Sequence, residues 1–410
     1  MIVGDYQSGF RDSRSTTDQI FIIRQVMEKC WEFDKDTWHA FIDFKQAYDS
    51  IHRESMWRIL REFRIPEKLI RLINMCYRNM RGRVKIGAEV TEPFEVNNGL
   101  KQGCALSTLL FNLVLEWVMR QTPERNGIQL GDAVCDSLAY ADDIDFCGES
   151  LQDIDENLFH FRDAAKQVGL EINQQKTKIM KVTRHDKVLG NIRCGNMELE
   201  AVDSFKYLGS TVTTENRVEE EVKLRIAAAA RCSWSVSKVL NSNILSKRTR
   251  LKTYTAIIRP ILTYGCETWR LTRDLERKLE VFENGILRRI CGPVWDAELG
   301  QWRRRHNYEL REMTRVPLIT SFIMAQRLRW AGHVARAEED RLISLVTTKQ
   351  PEGRRPPGRP RMRWSDNVKQ DLGMLQVENP GIWKDVAQDR DRWRHLVLAA
   401  KSHMGPQPVE

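Results

Sequence analysis

The stretch Ser137-Leu138-Ala139-Tyr140-Ala141-Asp142-Asp143-Ile144-Asp145-Phe146 decides how the rest of the chain reads. Apolar residues alternate on both sides of an adjacent pair of carboxylates, Leu138 and Tyr140 before it, Ile144 and Phe146 after it. That pattern predicts two short strands meeting at a tight turn. Two like charges at the tip of a buried hairpin cost free energy unless a cation takes them up. Carboxylate oxygens suit Mg²⁺, which also bridges substrate phosphates. Asp is equally at home in a solvated turn, so the pair alone leaves both readings open.

Upstream, Trp38-His39-Ala40-Phe41-Ile42-Asp43-Phe44 reads as a buried strand interrupted by a carboxylate that needs a partner. Tyr48 follows close enough to wall the same site or to pack as an ordinary aromatic. Ser50 is a plausible N-cap for the helix beyond it. Near the start, Gln7 to Asp18 reads as a loop, with Thr16 or Thr17 capping a helix over Asp18–Cys30. Arg11 and Arg14 beside that helix end suit phosphate contact, or are simply solvated. Residues 55–79 read as two helices broken at Pro66, and Arg83–Ile86 with Phe94–Val96 as a hairpin. A glycine-punctuated turn, Asn97 to Ser107, then feeds a helix over Thr108–Arg120. In that turn Gly103 permits close backbone approach and Gln102 offers both donor and acceptor.

Downstream, a helix over Asp153–Val168 stops at Gly169. Leu170–Asn173 and Lys176–Met180 read as strand, turn and strand, with Lys176 and Lys178 on the second. Phe205–Gly209 reads as a short strand. From there the pattern is helical: Glu219–Leu240, Lys247–Ile258 ended by Pro260, Arg273–Ile290, Thr320–Arg336 and a region from Trp364 to Met404. The Gly353–Arg363 stretch is a basic Pro/Gly/Arg linker, extended along a phosphate backbone or simply solvated. His333 reads as structural.

The chain has 410 residues, 41% of them hydrophobic and 30% charged, and a net charge of +9. It is large enough for two or three domains, and its basic balance favours a polyanion, nucleic acid ahead of membrane. Nine cysteines with no Cys-x-x-Cys pair fit neither a zinc finger nor a disulfide framework. No signal peptide or membrane-length apolar run is visible. The expectation is a soluble intracellular protein with no membrane partner.

Five motifs stand in order: Phe41-Ile42-Asp43-Phe44-Lys45-Gln46-Ala47-Tyr48-Asp49, Gly99 to Cys104, Tyr140 to Asp143, Gly169 to Met180, and Phe205 to Gly209. Together they resemble the reverse transcriptase family, in its non-LTR (LINE-type) retrotransposon branch. Gln7 to Asp18 resembles a further segment of the same branch, and Thr263 to Trp269 and Arg327 to Arg336 look like the C-terminal part of RTE-like elements. The resemblance implies an α+β right-hand polymerase fold: partial fingers and a palm with an antiparallel sheet over 1–200, primer grip and helical thumb over 201–272. A basic, mostly helical region over 273–410 follows, with its linker near 351–363.

The resemblance also implies an RNA-directed DNA polymerase that extends a DNA primer on an RNA template with dNTPs. Asp43, Asp142 and Asp143 would hold two Mg²⁺ ions, or Mn²⁺. Lys176 would be the general acid, with Lys178 as its substitute. Phe44, Tyr48, Gln102 and Gly103 would meet the nucleotide, Tyr48 as a gate against a 2′-OH. Arg11, Arg14, Tyr140, Phe205, Lys206, Tyr207, Leu208 and Gly209 would meet primer and template. Family members carry more fingers sequence and an endonuclease upstream, so the expectation is the C-terminal piece of a polyprotein, at work in the nucleus or the cytoplasm. The alternative expectation is an inactive remnant that only binds nucleic acid.

Overall fold

The computed structural model describes residues 2–122, 125–188, 190–358 and 361–402. They divide into two compact units: Met1–Leu208 with Leu345–Pro356, and Gly209–Ser344 with Pro357–Glu410.

The first unit carries α1 (Thr16–Glu32), β1 (Thr37–Ile42), α2 (Arg53–Glu62), α3 (Glu67–Tyr77), α4 (Ala105–Gln121), β2 (Ser137–Tyr140) and β3 (Asp143–Gly148). After these come α5 (Leu151–Gln167), β4 (Lys178–Val182), β5 (Asn191–Cys194), β6 (Met197–Ala201) and β7 (Ser204–Tyr207). Six strands form one sheet in the order β5-β6-β4-β1-β3-β2. Its neighbours are antiparallel except β4 and β6, which run parallel. Strand β1 lies inside, with Ile42 opposite Ile144 on β3 and Phe41 opposite Lys178 on β4.

Successive side chains of a strand point to opposite faces. Ala40, Ile42, Ile144, Phe146 and Ile179 therefore share one face, and they are buried with Leu158 and Phe161 of α5. Burying a side chain the size of Phe146 stabilises by roughly 1.5–3 kcal/mol. The other face takes the alternate residues: His39, Phe41 and Asp43 from β1 and its exit, and Asp143, Asp145 and Cys147 from β3.

Local choices shape the rest of this unit. Ser15, rather than Thr16 or Thr17, caps α1, because its hydroxyl and the Asp18 carboxylate each bond the other's backbone N–H. Ser50 ends a single helical turn, Ala47–Ser50, and α2 begins instead after His52. The predicted hairpin is two small ones, Arg81–Gly82 with Phe94–Glu95 and Lys85–Ile86 with Glu89–Val90. Leu170–Asn173 is not a ladder strand. It runs beside the exit of β1, with Lys45 N donating to Glu171 O and Asn173 N to Asp43 O at 2.7 Å. Leu345–Pro356 joins this unit through Lys349 with Asp132 and Arg355 with Glu32.

The second unit is helical: α6 (Val218–Ser235), α7 (Lys247–Thr253), α8 (Arg259–Leu262), α9 (Arg273–Cys291), α10 (Asn307–Thr314), α11 (Ile319–Ala335), α12 (Trp364–Met374) and α13 (Arg390–Ser402). Pro260 does not stop the chain's helical course. The preceding turns, Tyr254–Ile258, widen into a π-helix, which relieves the clash of the proline ring with the carbonyl four residues back. Leu275, Leu279, Ile286 and Ile290 of α9 are buried core. In the basic linker, Arg355 is paired and Arg361 donates to Glu215 O, while Arg359 and Pro360 lie outside the described residues, as do residues 403–410. No described helix is long and apolar enough to cross a membrane.

Candidate active site

The last β1–β3 pair is Ile42 with Ile144. One step further, Asp43 stands level with Asp143 on the face away from the core. Side chains directly opposite on antiparallel strands have Cβ atoms about 4.5–5.5 Å apart. Tyr140 pairs with Asp143 across the hairpin, which leaves Ala141 and Asp142 as a two-residue turn. Three carboxylates from two separate parts of the chain thus meet at one sheet end.

The charges register one another. Removal from water, then the charges of Asp142 and Asp43, push the Asp143 carboxyl up to about 6. Asp142 is raised too, by loss of water first and then by Asp43. Asp43 Oδ2 is buried and makes no hydrogen bond; its nearest cation is Lys176 Nζ at 3.8 Å. Oxygen donors gathered with one exposed lysine as their counter-charge are the donor set that a hard divalent cation takes.

The turn carrying Asp142 is strained, because Ala141 has φ +59°, a conformation that costs a non-glycine residue about 1 kcal/mol or more. Gln7 holds it there. Its Nε2 donates to Ala141 O at 3.0 Å, and its Oε1 accepts from Ala141 N at 2.8 Å. Gln7 is fully buried, and Ser8 N donates to Ala139 O, so the segment runs as an extra rail along β2. Gly9 is obligatory for this approach: a Cβ there would lie 2.3 Å from Ala141 N. Sequence reasoning assigned Gln7 no role, although the Gln7-Ser8-Gly9 run in front of a capped helix was the available signal.

The other expected residues fall into two groups. In the first, Tyr48 and Tyr207 feel the charges of Asp142 and Asp143, and the rest keep local partners or stay open. The Tyr48 ring stacks on Phe111 at 4.6 Å, and its buried hydroxyl has no hydrogen-bond partner. Burial, then Asp142, push that hydroxyl up to about 12. Gln102 Nε2 donates to the Asp49 carboxylate at 3.2 Å, and Gly103 takes φ +82° facing open space. Phe205 stacks on Phe41 at 3.9 Å, while Tyr207 is buried and its hydroxyl donates to Leu138 O. Lys206 is exposed, and Tyr140 lies 6.5 Å from Phe10, ring to ring. Leu208 and Gly209 both have positive φ, as a tight turn requires.

The structure corrects the others. Phe44 is core, packed near Phe161, because the residue after Asp43 faces the helices. Arg11 donates to Gly4 O and Gln7 O, and Arg14 pairs with Asp5, so both hold the N-terminal loop rather than standing free for phosphate. Lys178 is tied to Glu200 and Gln175 O; only Lys176, 70% exposed in its side chain, reaches Asp43. His333 packs beside Trp330 at 4.9 Å, as a structural histidine does.

A strained acidic turn on a mixed sheet backed by helices is consistent with a polymerase fold. Comparison with known proteins gives the family. Residues 1–212 match the model for reverse transcriptase (RNA-dependent DNA polymerase). A transposon-derived protein of Caenorhabditis elegans is 30% identical over 268 residues, 64% of this chain and 94% of that protein. A Pol polyprotein from a type-1 retrotransposable element of Nasonia vitripennis is 28% identical over 207 residues, 47% of this chain and 20% of that one. The RNA-directed DNA polymerase from mobile element jockey of Drosophila melanogaster is 21% identical, over 71% of this chain and 32% of its own. The chain belongs to the reverse transcriptase family, in its non-LTR retrotransposon branch. It spans nearly all of the nematode relative and a third or less of these two element-encoded relatives. Reverse transcriptases as a family use divalent metal ions and act on nucleic acid.

Proposed function

We propose that this chain extends a DNA primer on an RNA template by nucleotidyl transfer from dNTPs. The observation that carries this reading is the meeting of Asp43, Asp142 and Asp143 without a compensating arginine. These three would hold two Mg²⁺ ions, or Mn²⁺; bound there, the ions would lower the negative charge on the attacking and leaving oxygens. The chain's own residues supply the remaining parts. Gln7 and Gly9 fix the turn that aims Asp142. Tyr48, wedged on Phe111 near Asp142, crowds the place where a ribose 2′-OH would sit. Gln102 and Gly103 line the nucleotide side, and exposed Lys176 is the residue placed to protonate a departing pyrophosphate. Phe205 to Gly209 lie against the primer. An assignment to the RTE-like subdivision rests on the Thr263–Trp269 and Arg327–Arg336 segments.

The test is primer extension on an RNA template, comparing the chain with an Asp142→Ala/Asp143→Ala variant. Incorporation by the first and not by the second supports the reading. Equal extension by both overturns it. Salt-sensitive RNA binding without incorporation under Mg²⁺ or Mn²⁺ would leave a nucleic-acid-binding remnant instead.

A further inference from the structure

Behind the acidic turn, on the same face of the sheet, β1 and β3 bring together a second group of ionisable side chains. Register sets His39 opposite Cys147, with Asp145 two residues nearer the turn. His39, Asp145 and Cys147 are all fully buried. His39 Nδ1 lies 2.9 Å from Asp145 Oδ2, Cys147 Sγ lies 3.3 Å from the same oxygen, and Sγ to Nδ1 is 3.6 Å. Three different donor atoms thus converge on one point. The thiol of Cys135, buried on the strand Ala133–Cys135, lies near that of Cys147 but outside this converging set of three.

Two further features are those of a ligand set. His39 Nε2 faces Thr37 Oγ1 at 3.2 Å. Metal-bound histidines commonly donate their second ring N–H to such an oxygen, which turns the other nitrogen's lone pair toward the ion. Asp145 Oδ1, sealed from water, has no hydrogen-bond partner, an arrangement that costs a buried acceptor about 1–3 kcal/mol. In a tetrahedral zinc site, bonds of about 2.0–2.3 Å put the ligand atoms about 3.3–3.7 Å apart. The separations among His39, Asp145 and Cys147 need to open by only a few tenths of an ångström, and the Cys135 thiol has to turn in to complete the set.

We propose that His39, Asp145, Cys147 and Cys135 form a structural Zn²⁺ site that ties β1 to β3 behind the acidic turn. Thiolate and imidazole select zinc over Mg²⁺, which takes all-oxygen shells. On binding, the two thiols lose their protons to solvent and the thiolates bond the ion. A structural site is closed, with four protein ligands and no open position; the burial of all four residues matches that. The site has none of the Cys-x-x-Cys spacing of zinc fingers, because its ligands come from three strands.

The test measures metal rather than polymerase activity, so it stands or falls apart from the proposed function. The full chain, expressed with zinc and dialysed, is analysed for bound metal, and the Co²⁺-substituted chain for its absorption. The expected result is one zinc per chain, with visible bands of tetrahedral Co²⁺ and a thiolate charge-transfer band in the near ultraviolet. Cys147→Ser and Cys135→Ser should each lower zinc to about a tenth or less under the same dialysis. Asp142→Asn and exposed Cys76→Ser should retain it. Should a cysteine variant fail to fold, the Co²⁺ spectrum of the unmodified chain still decides. A metal-free chain that gives no thiolate band with Co²⁺ overturns the proposal, as does zinc retained in full by both cysteine variants.

Discussion

Among the described residues of the helical unit, the buried acids Glu221, Glu283 and Asp371 each have a guanidinium against them. Glu283 meets Arg259 at 2.6 Å and also accepts from Tyr254 and from Ile319 N. Asp371 meets Arg327 at 2.8 Å, and Glu221 meets Arg225 at 2.7 Å. In the sheet unit the acids at the turn are left to one another. Asp43 has only exposed Lys176, and among the described residues no ion pair holds Asp142 or Asp143. The first arrangement puts carboxylates out of water, and the second only partly so. The first neutralises them within the fold. The second raises the proton affinity of Asp142 and Asp143 and leaves oxygen lone pairs open to an external cation. A buried acid that carries its own arginine is architecture; a cluster without one is a place for chemistry.

Substitutions that exchange the two roles break or sharpen this contrast. The largest effect belongs to Asp142→Asn. Primer extension should fall on the order of 100- to 1,000-fold or more, the scale of losing one group that stabilises transition-state charge. The thermal midpoint in chelator should hold or rise. A drop in both together would mean that Asp142 is structural after all. Arg327→Met is the mirror image. It strands Asp371 in the helical core, and the unit should lose about 3–5 kcal/mol by urea unfolding. A loss under 1 kcal/mol would show that the buried pairs of this unit are no sturdier than surface ones.

The same contrast explains what was legible in the sequence. Asp43 and the Asp142–Asp143 pair stood out because a charge within an apolar alternating run has few explanations. Strands β2 and β3 followed from the same alternation and β1 from its apolar run, whereas β5 and β6 went unread. Phe44 was misplaced because a motif gives adjacency but not face, and the strand exit turns that ring into the core. Arg11 and Arg14 were misread because an arginine bound to nearby carbonyls or to Asp5 looks, in sequence, like a free one. Gln7 was missed because its partner, Ala141, lies 134 residues away, and a side chain that bonds backbone leaves no pattern in the partner's sequence. The pairing of β4 with β6 was hidden for a related reason, since parallel register comes from the crossover rather than from either strand.

Gly9→Ala tests the Gln7 clamp. The new methyl would meet the Ala141 backbone, so the rail must move away and release the strained turn. Extension should fall about 10- to 100-fold, as for a misplacement on the scale of 1 Å. The urea midpoint should shift less than for Arg327→Met. Unchanged extension would mean that the turn keeps its shape without the rail.

The smallest effect isolates the cost of the uncompensated cluster itself. Asp143 sits near 6 in the folded chain, against about 3.9 for an unfolded aspartate. Below about pH 4 the carboxyl is protonated in both states, so it costs nothing. Between about 4 and 6 the unfolded chain gives up the proton while the folded chain keeps it, and stability drains away as pH rises. Above about 6 the full cost is carried. In chelator at pH 7.5, Asp143→Asn should therefore stabilise the chain, by no more than about 1 kcal/mol once solvent screening of this exposed group is allowed for. The gain should shrink as pH falls from 6 to 4 and vanish below. Adding Mg²⁺ should reverse the ranking, because a cation that binds only the folded form stabilises the chain that retains its carboxylate. A flat profile in chelator, with no reversal in Mg²⁺, would mean that the three acids do not feel one another, and the distinction between the two units would lose its energetic basis.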